Sequence, residues 1–285
     1  MGPNGNILAT AHRAGARGGR VELRDAATGA LRGATPELPD PILGAAFSPD
    51  SRWLLTWSDR PNGACLWDVS TLRDPRPMLQ ALDAPVQRAA FRADGRTILV
   101  GCRDGTARLW DVESDEEINP GLRPHHAYPV TAIAYPPRGE RVVAGCQDGS
   151  VGMWDLSTGK LLFETRGRSS EVTALTFSPD GQVILTAGRD GTVRFLDAVS
   201  GQPLGPPLHH PDAVLGAAFH PDGQSVATGT KGGEVRRWRV PRPPATGSSD
   251  EIRRRIEDET GLWLDYQGAI HTLSLRPGLR DQGQQ

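Results

Sequence analysis

Short runs of apolar residues recur along the chain and are separated by clusters of Gly, Pro, Asp and Ser. One type of run ends in an aromatic residue that is followed by a turn sequence such as Pro-Asp-Gly. Another type, seen at 97–100 and 183–186, is rich in β-branched residues. Runs of this length and composition between turn residues predict β-strands. The pattern therefore predicts an all-β chain of short strands joined by tight turns.

The same pattern repeats about every 42–44 residues, which is the strongest signal in the sequence. The residues that end the first type of run are Phe47, Phe91, Tyr135, Phe177 and Phe219. A second signature, apolar-x-apolar-Trp-Asp, places its tryptophan at Trp67, Trp110, Trp154 and Trp238. Leu196 and Arg24 occupy the same position in two further copies. The chain therefore carries six copies of one structural unit.

The residues at the turns support antiparallel hairpins within each copy. The position five residues before each tryptophan position is Gly in five copies and Asn62 in one. Both residue types tolerate a positive φ angle, which tight hairpin turns require. In the turn after the aromatic residue, Pro fixes φ and Gly supplies the positive φ.

Together these residues resemble the WD-repeat (WD40) family of β-propellers over about residues 1–240. The resemblance is specific, because Trp-Asp recurs in register at 67–68, 110–111 and 154–155. It implies that each copy is one blade of three or four strands and that the tryptophans pack between blades. The family's hydrogen-bonded Asp-His-Ser/Thr-Trp network is complete in few or none of the copies. His126 and His210 occupy its histidine position.

The repeat count predicts an all-β WD40 propeller with six recognisable blades, and seven is the alternative. Residues 1–242 form the propeller, and its first blade lacks the inner strand, because the turn at 2–5 already follows that position. A linker at 243–249 and a short helix at 250–260 follow. Residues 262–276 form a strand or hairpin that closes the ring, since 269–278 align with 171–180. A disordered tail covers 277–285.

The segment 260–273 also resembles the C-terminal tail of planctomycete-type bacterial WD-repeat proteins that are associated with Ser/Thr kinases. This second resemblance implies an alternative function. In that case the chain is the C-terminal sensor or regulatory propeller of a larger bacterial signalling protein.

Composition and charge exclude several other classes. The 285 residues carry a formal net charge of −2, which argues against a general nucleic-acid or membrane-surface binder. No apolar run approaches the roughly 20 residues that span a bilayer. The N-terminus has no apolar signal core, so we expect a cytoplasmic protein. We also expect it to be monomeric. Three cysteines cannot form a disulfide framework. Since no phosphate loop, nucleophile elbow or metal-ligand spacing is present, we expect no catalytic residue, cofactor or metal.

The repeat-locked positions separate into a structural set and a candidate binding set. The structural set is Trp67, Asp68, Trp110, Asp111, Trp154, Asp155, Asp197 and Trp238. The binding set lies seven residues before each tryptophan position, at the tip of the turn between the second and third strands. We call these the turn-tip positions, and they are Arg17, Arg60, Arg103, Gln147, Arg189 and Lys231. In the WD40 family this part of the repeat commonly contributes to the partner-binding face. Because five of the six are basic, the predicted function is a non-catalytic protein-interaction scaffold for a protein or peptide, such as an acidic or phosphorylated segment.

Overall fold

The structure is a computed structural model of the 285-residue chain. It describes residues 5–14, 18–58, 60, 63–80, 82–122, 128–165, 170–241, 262–264 and 270–272. The chain divides into two compact units, residues 1–241 and residues 242–285.

The described residues of the first unit form twenty-two strands in six antiparallel sheets, and six is the number of blades that the repeat count predicted. The first sheet contains β1 (Ile7–Ala14), β2 (Gly18–Asp25) and β3 (Leu31–Ala34). The second contains β4 (Ile42–Phe47), β5 (Trp53–Ser58), β6 (Ala64–Asp68) and β7 (Arg76–Met78). The third contains β8 (Val86–Phe91), β9 (Thr97–Cys102), β10 (Ala107–Asp111) and β11 (Glu116–Leu122).

The remaining three sheets of this unit follow the same plan. The fourth contains β12 (Val130–Ala134), β13 (Arg141–Cys146), β14 (Val151–Asp155) and β15 (Leu161–Thr165). The fifth contains β16 (Val172–Phe177), β17 (Val183–Gly188), β18 (Thr192–Asp197) and β19 (Leu208–His209). The sixth contains β20 (Val214–Phe219), β21 (Ser225–Thr230) and β22 (Val235–Arg239).

Each complete sheet is a four-stranded meander in which sequence neighbours pair, and this topology is that of a propeller blade. The first strand of each blade lies beside the first strand of the next, in the order β4, β8, β12, β16 and β20. These strands are therefore the inner strands, and the fourth strands form the outer rim. The predicted all-β propeller with six blades is confirmed.

Adjacent blades are held together by apolar side chains from both facing surfaces. Between the third and fourth blades, Leu99 and Leu109 pack against Val142 and Trp154, and all four are at most 4% exposed. Similar clusters join each blade to the next from the first blade to the sixth. Fully burying such side chains stabilises the fold by about 1.5–3 kcal/mol each. A blade in this chain thus depends on its neighbours for most of its core.

The first blade has only its second, third and fourth strands among the described residues. That this blade has no inner strand of its own stays a prediction, because residues 1–4 lie outside the described part of the chain.

In the second unit, β23 (Leu262–Leu264) pairs antiparallel with β24 (Ile270–Thr272), and Leu264 lies opposite Ile270. The predicted linker, helix and tail at 243–249, 250–260 and 277–285 lie outside the described residues.

The glycines five residues before the tryptophan positions adopt the predicted positive φ in four copies, with φ of 85° at Gly105, 84° at Gly149, 78° at Gly191 and 84° at Gly233. Gly19 does not follow this pattern, because it lies inside β2 and its N–H donates to the Leu38 carbonyl. A Cβ there would approach the Ile42 nitrogen to 2.9 Å, so this glycine is required by close backbone contact instead.

Ser51 occupies the position that glycine takes in the equivalent turns of other blades. Its φ is 59°, whereas Gly181 in the fifth blade has φ of 74° in the same turn. The left-handed conformation costs a residue with a Cβ roughly 1–2 kcal/mol relative to glycine. The Ser51 hydroxyl is also buried without a hydrogen-bond partner among the described residues. Ser51 is therefore a local source of strain.

Replacing Ser51 with glycine should stabilise the protein. We expect Ser51→Gly to raise the free energy of unfolding by about 1 kcal/mol, because it removes the conformational strain and the unpaired hydroxyl. Gly181→Ser, the reverse change at the equivalent turn, should lower it by a similar amount. Urea denaturation of both variants measures the two effects, and a destabilised Ser51→Gly would contradict this account.

Candidate partner-binding face

A repeated backbone hydrogen bond places the turn-tip positions at the same end of their blades. The N–H of Arg103 donates to the Pro85 carbonyl at 3.0 Å, one residue before the inner strand β8 begins. Gln147, Arg189 and Lys231 make the equivalent bonds, at 2.9, 3.0 and 2.9 Å. All four turns therefore lie where the inner strands start. Arg17 lies outside the described residues.

In the third, fourth and fifth blades, an aspartate directly after the turn-tip residue fixes the conformation of the turn. The Asp104 carboxylate accepts hydrogen bonds from the backbone N–H and the hydroxyl of Thr106, at 2.9 and 2.7 Å. Asp148 holds Ser150 in the same way, and Asp190 holds Thr192. The turn-tip side chains therefore project from rigid turns.

All five described turn-tip residues are exposed, and Arg60 and Arg189 form ion pairs with described carboxylates. The Arg60 guanidinium lies 2.7 Å from an Asp40 oxygen, and that of Arg189 lies 2.8 Å from a Glu171 oxygen. Both carboxylates belong to the segments that lead into an inner strand. The arginine side chains remain 69% and 65% exposed, which limits the strength of these pairs.

The surface around the turn tips consequently has mixed charge. Its described cations are Arg60, Arg103, Arg189 and Lys231, and the nearby carboxylates are Asp40, Asp104, Asp148, Glu171, Asp190 and Asp212. The repeat pattern indicated five basic residues of six but did not include these acidic neighbours. The face is therefore not a uniformly positive patch. The positions of the arginines alone could not reveal this.

Trp67, Trp110 and Trp154 are buried and Trp238 is partly buried. Two of these tryptophans donate their ring N–H to a threonine of the second strand, whereas Trp110 Nε1 donates to Asp115 at 2.8 Å. Trp67 Nε1 donates to Thr56 Oγ1 at 2.9 Å in the second blade. In the sixth, Trp238 Nε1 donates to Thr228 Oγ1 at 2.8 Å, and His210 Nε2 lies 2.8 Å from the same hydroxyl. The His210 Nδ1 lies 3.7 Å from Glu234. Three members of the expected network are therefore assembled in this blade.

The fifth blade shows the effect of losing the tryptophan. Thr186 occupies the position equivalent to Thr56, but Leu196 replaces the tryptophan. Thr186 is 2% exposed, and its hydroxyl has no hydrogen-bond partner among the described residues. The tryptophan N–H that donates to this threonine in the second and sixth blades is thus absent, while the threonine remains.

Comparison with known families agrees with this geometry. The model of the WD domain, G-beta repeat (WD40), matches residues 78–111, 120–155, 159–197 and 201–239, which together make up about half of the chain. The chain belongs to the WD40 repeat family. WD40 repeat proteins generally act as protein-interaction scaffolds and are typically non-catalytic. A search of curated proteins found no match, and no finding supports the resemblance to kinase-associated proteins.

The aspartates that follow the WD40 tryptophan positions accept hydrogen bonds in the turn between the third and fourth strands. Asp68 accepts from Ser70, and Asp155 accepts from Ser157 and Thr158. The Ser114 N–H and the Arg96 guanidinium, at 3.0 and 2.7 Å, lower the pKa of Asp111 to about 2. Asp197 bonds to Ser200 in the same way. These contacts account for the recurrence of aspartate without a catalytic role.

The hydrogen bonds of Asp111 predict a pH dependence. Because its pKa is lower in the folded chain than in the unfolded chain, its contribution to stability is fully present above about pH 4. It is lost as the pH falls through about 2. We therefore expect Asp111→Asn to lower the Tm at pH 7 and to differ less from the wild type as the pH approaches 2. Thermal unfolding at several pH values measures this, and a pH-independent difference would contradict it.

The two buried threonines give a matched test of the WD40 network. Thr56→Val removes the acceptor of the Trp67 N–H, so it should lower the free energy of unfolding by about 1–3 kcal/mol. Thr186→Val removes a hydroxyl that has no partner, so it should leave stability unchanged or raise it. Urea denaturation compares the two variants, and equal losses would contradict the assignment.

Other potentially reactive side chains do not assemble a site among the described residues. Cys102 and Cys146 are buried, and burial raises the pKa of each thiol to about 11. No group of three or more His, Cys, Asp or Glu side chains in the described part of the chain could hold a metal ion. Within the same residues, no helix is long and apolar enough to cross a membrane.

Proposed function

We propose that the chain is a protein-interaction module whose docking face is the end of the propeller that carries the turn-tip positions. The repeated hydrogen bond from the turn-tip N–H to the residue before the inner strand carries this proposal. It brings exposed side chains from successive blades to one rigid surface. Exposed arginine on a preorganised surface is well suited to binding because it forms directed hydrogen bonds at little conformational cost.

The proposed partner is a protein or peptide segment with acidic or phosphorylated side chains. Its anionic groups would contact the exposed turn-tip cations, which are Arg60, Arg103, Arg189 and Lys231. Lys231 is followed by Gly232 where the turns of the third, fourth and fifth blades carry an aspartate, so its turn has less negative charge than theirs. Asp40 and Glu171 compete with the partner for Arg60 and Arg189. The partner should therefore contain basic as well as acidic residues.

Charge reversal at two turn tips tests this proposal. We expect Arg103→Glu with Lys231→Glu to reduce partner capture at least about tenfold, because like charges then face the partner's acidic groups. The matched control is Arg138→Glu with Lys160→Glu, which makes the same change in net charge. Arg138 lies in the β12–β13 turn and Lys160 in the β14–β15 turn, at the opposite blade ends, and both are exposed.

The measurement is a quantitative pull-down read by mass spectrometry at low and high salt. The proposal expects proteins that the wild type and the control capture but the turn-tip variant loses, with weaker capture at high salt. Equal capture by all three forms would reject the turn-tip face as the docking surface.

A further inference from the structure

A cleft of about 260 Å³ lies between the fourth and fifth blades. One wall is the outer strand β15, and the other is strand β18 with the turn that follows it. The two walls meet closely at one point, since a Cβ on Gly201 would lie 2.5 Å from Cδ2 of Phe163. Pockets for drug-sized ligands have volumes of roughly 300–1,000 Å³, so this cleft suits a smaller molecule.

Two side chains of opposite charge line the cleft without a partner. Oε1 of Glu164 and Nε of Arg194 are buried and have no hydrogen-bond partner among the described residues. No ion pair joins these two side chains to each other or to another described residue. Buried charged groups are costly when they are left unpaired, so each one in a native fold requires an explanation. A ligand with one cationic and one anionic group would pair both.

The arginines at the equivalent position of two other blades do have partners. Arg194 lies two residues before the tryptophan position of its blade, as Arg108 does in the third blade and Arg236 does in the sixth. The Arg108 guanidinium forms ion pairs with two carboxylates of its own blade. Arg236 Nε donates to Glu234. The fifth blade therefore lacks a carboxylate partner that these blades supply themselves.

The remainder of the cleft has an apolar side and a polar rim. Phe163 and Leu196 supply the apolar surface, and the exposed Ser200 and Gln202 border it. Leu196 stands where four other blades carry tryptophan, so a smaller side chain occupies this junction. A ligand that fits the cleft needs an apolar group beside its two charged groups.

We propose that this cleft binds a free α-amino acid with an apolar side chain. The ammonium group donates to the Glu164 carboxylate, the ligand carboxylate accepts from the Arg194 guanidinium, and the ligand side chain packs against Phe163 and Leu196. Rotation of the two charged side chains, which is common on binding, presents their buried atoms to the ligand. The turn-tip residue of this blade, Arg189, lies at the other end of β18, so the inference does not depend on the proposed docking face.

Isothermal titration calorimetry of the full chain with L-leucine tests the proposal. N-acetyl-L-leucine lacks the ammonium group and L-leucinamide lacks the carboxylate. We expect saturable binding of L-leucine and at least about tenfold weaker binding of each derivative, because each leaves one charged side chain of the cleft unpaired. Titrations with L-valine, L-methionine and L-phenylalanine establish which apolar side chain fits best.

Two variants assign each charge of the ligand to its residue. Glu164→Gln should weaken L-leucine binding at least about tenfold and leave N-acetyl-L-leucine binding unchanged, because that derivative has no ammonium group to lose a contact. Arg194→Gln should weaken L-leucine binding by a similar factor and leave L-leucinamide binding unchanged. The matched control is Arg108→Gln, at the equivalent position of the third blade, which should not change binding.

A further variant, Leu196→Trp, keeps the test usable if a charge variant does not fold. It introduces the residue that four other blades carry at this position and places an indole in the cleft, so it should abolish binding while the thermal transition is retained. Wild-type protein that binds none of the four amino acids at millimolar concentration would overturn the proposal. Equal binding of L-leucine and its two derivatives would also overturn it, as would undiminished binding by Leu196→Trp.

Discussion

The structure depends on the packing of each blade against its neighbours. Every sheet from the second to the fifth is apolar on both faces, so neither face is stable unless it is covered. The buried tryptophan of one blade meets leucine or valine of the preceding blade, as Trp154 meets Leu99. Stability is therefore shared along the array, and the ends of the array are its weakest points.

The same packing gives the candidate docking face its rigidity. Inner strands that contact one another start at one end of the unit, and the backbone bond from the turn tip to the residue before each inner strand fixes the turns to that end. The side chains at these tips can vary without affecting the core, which lets a repeat architecture present a specific surface. In this chain the surface carries both arginines and the carboxylates of Asp40 and Glu171. Recognition on such a surface depends on how its positive and negative groups are arranged more than on its net charge.

The sequence was sufficient to predict the six copies, the strands and most of the turns, because these follow from local residue patterns. The positive φ at Gly105 and Gly149 is one example. Contacts between residues far apart in the chain were not predicted. Glu171 precedes Arg189 by 18 residues, and His210 precedes Thr228 by the same interval, so only the folded blade brings them together. Gly19 was misassigned because its requirement comes from Ile42 and not from its own turn.

The most direct test of the dependence of blades on their neighbours is amide hydrogen exchange of the full chain, comparing the wild type with Leu99→Ala. Leu99 of the third blade packs against Trp154 of the fourth, so the account predicts faster exchange in β14 as well as in β9, with β22 of the sixth blade changed least. Faster exchange confined to the third blade, with the fourth blade unchanged, would contradict the account.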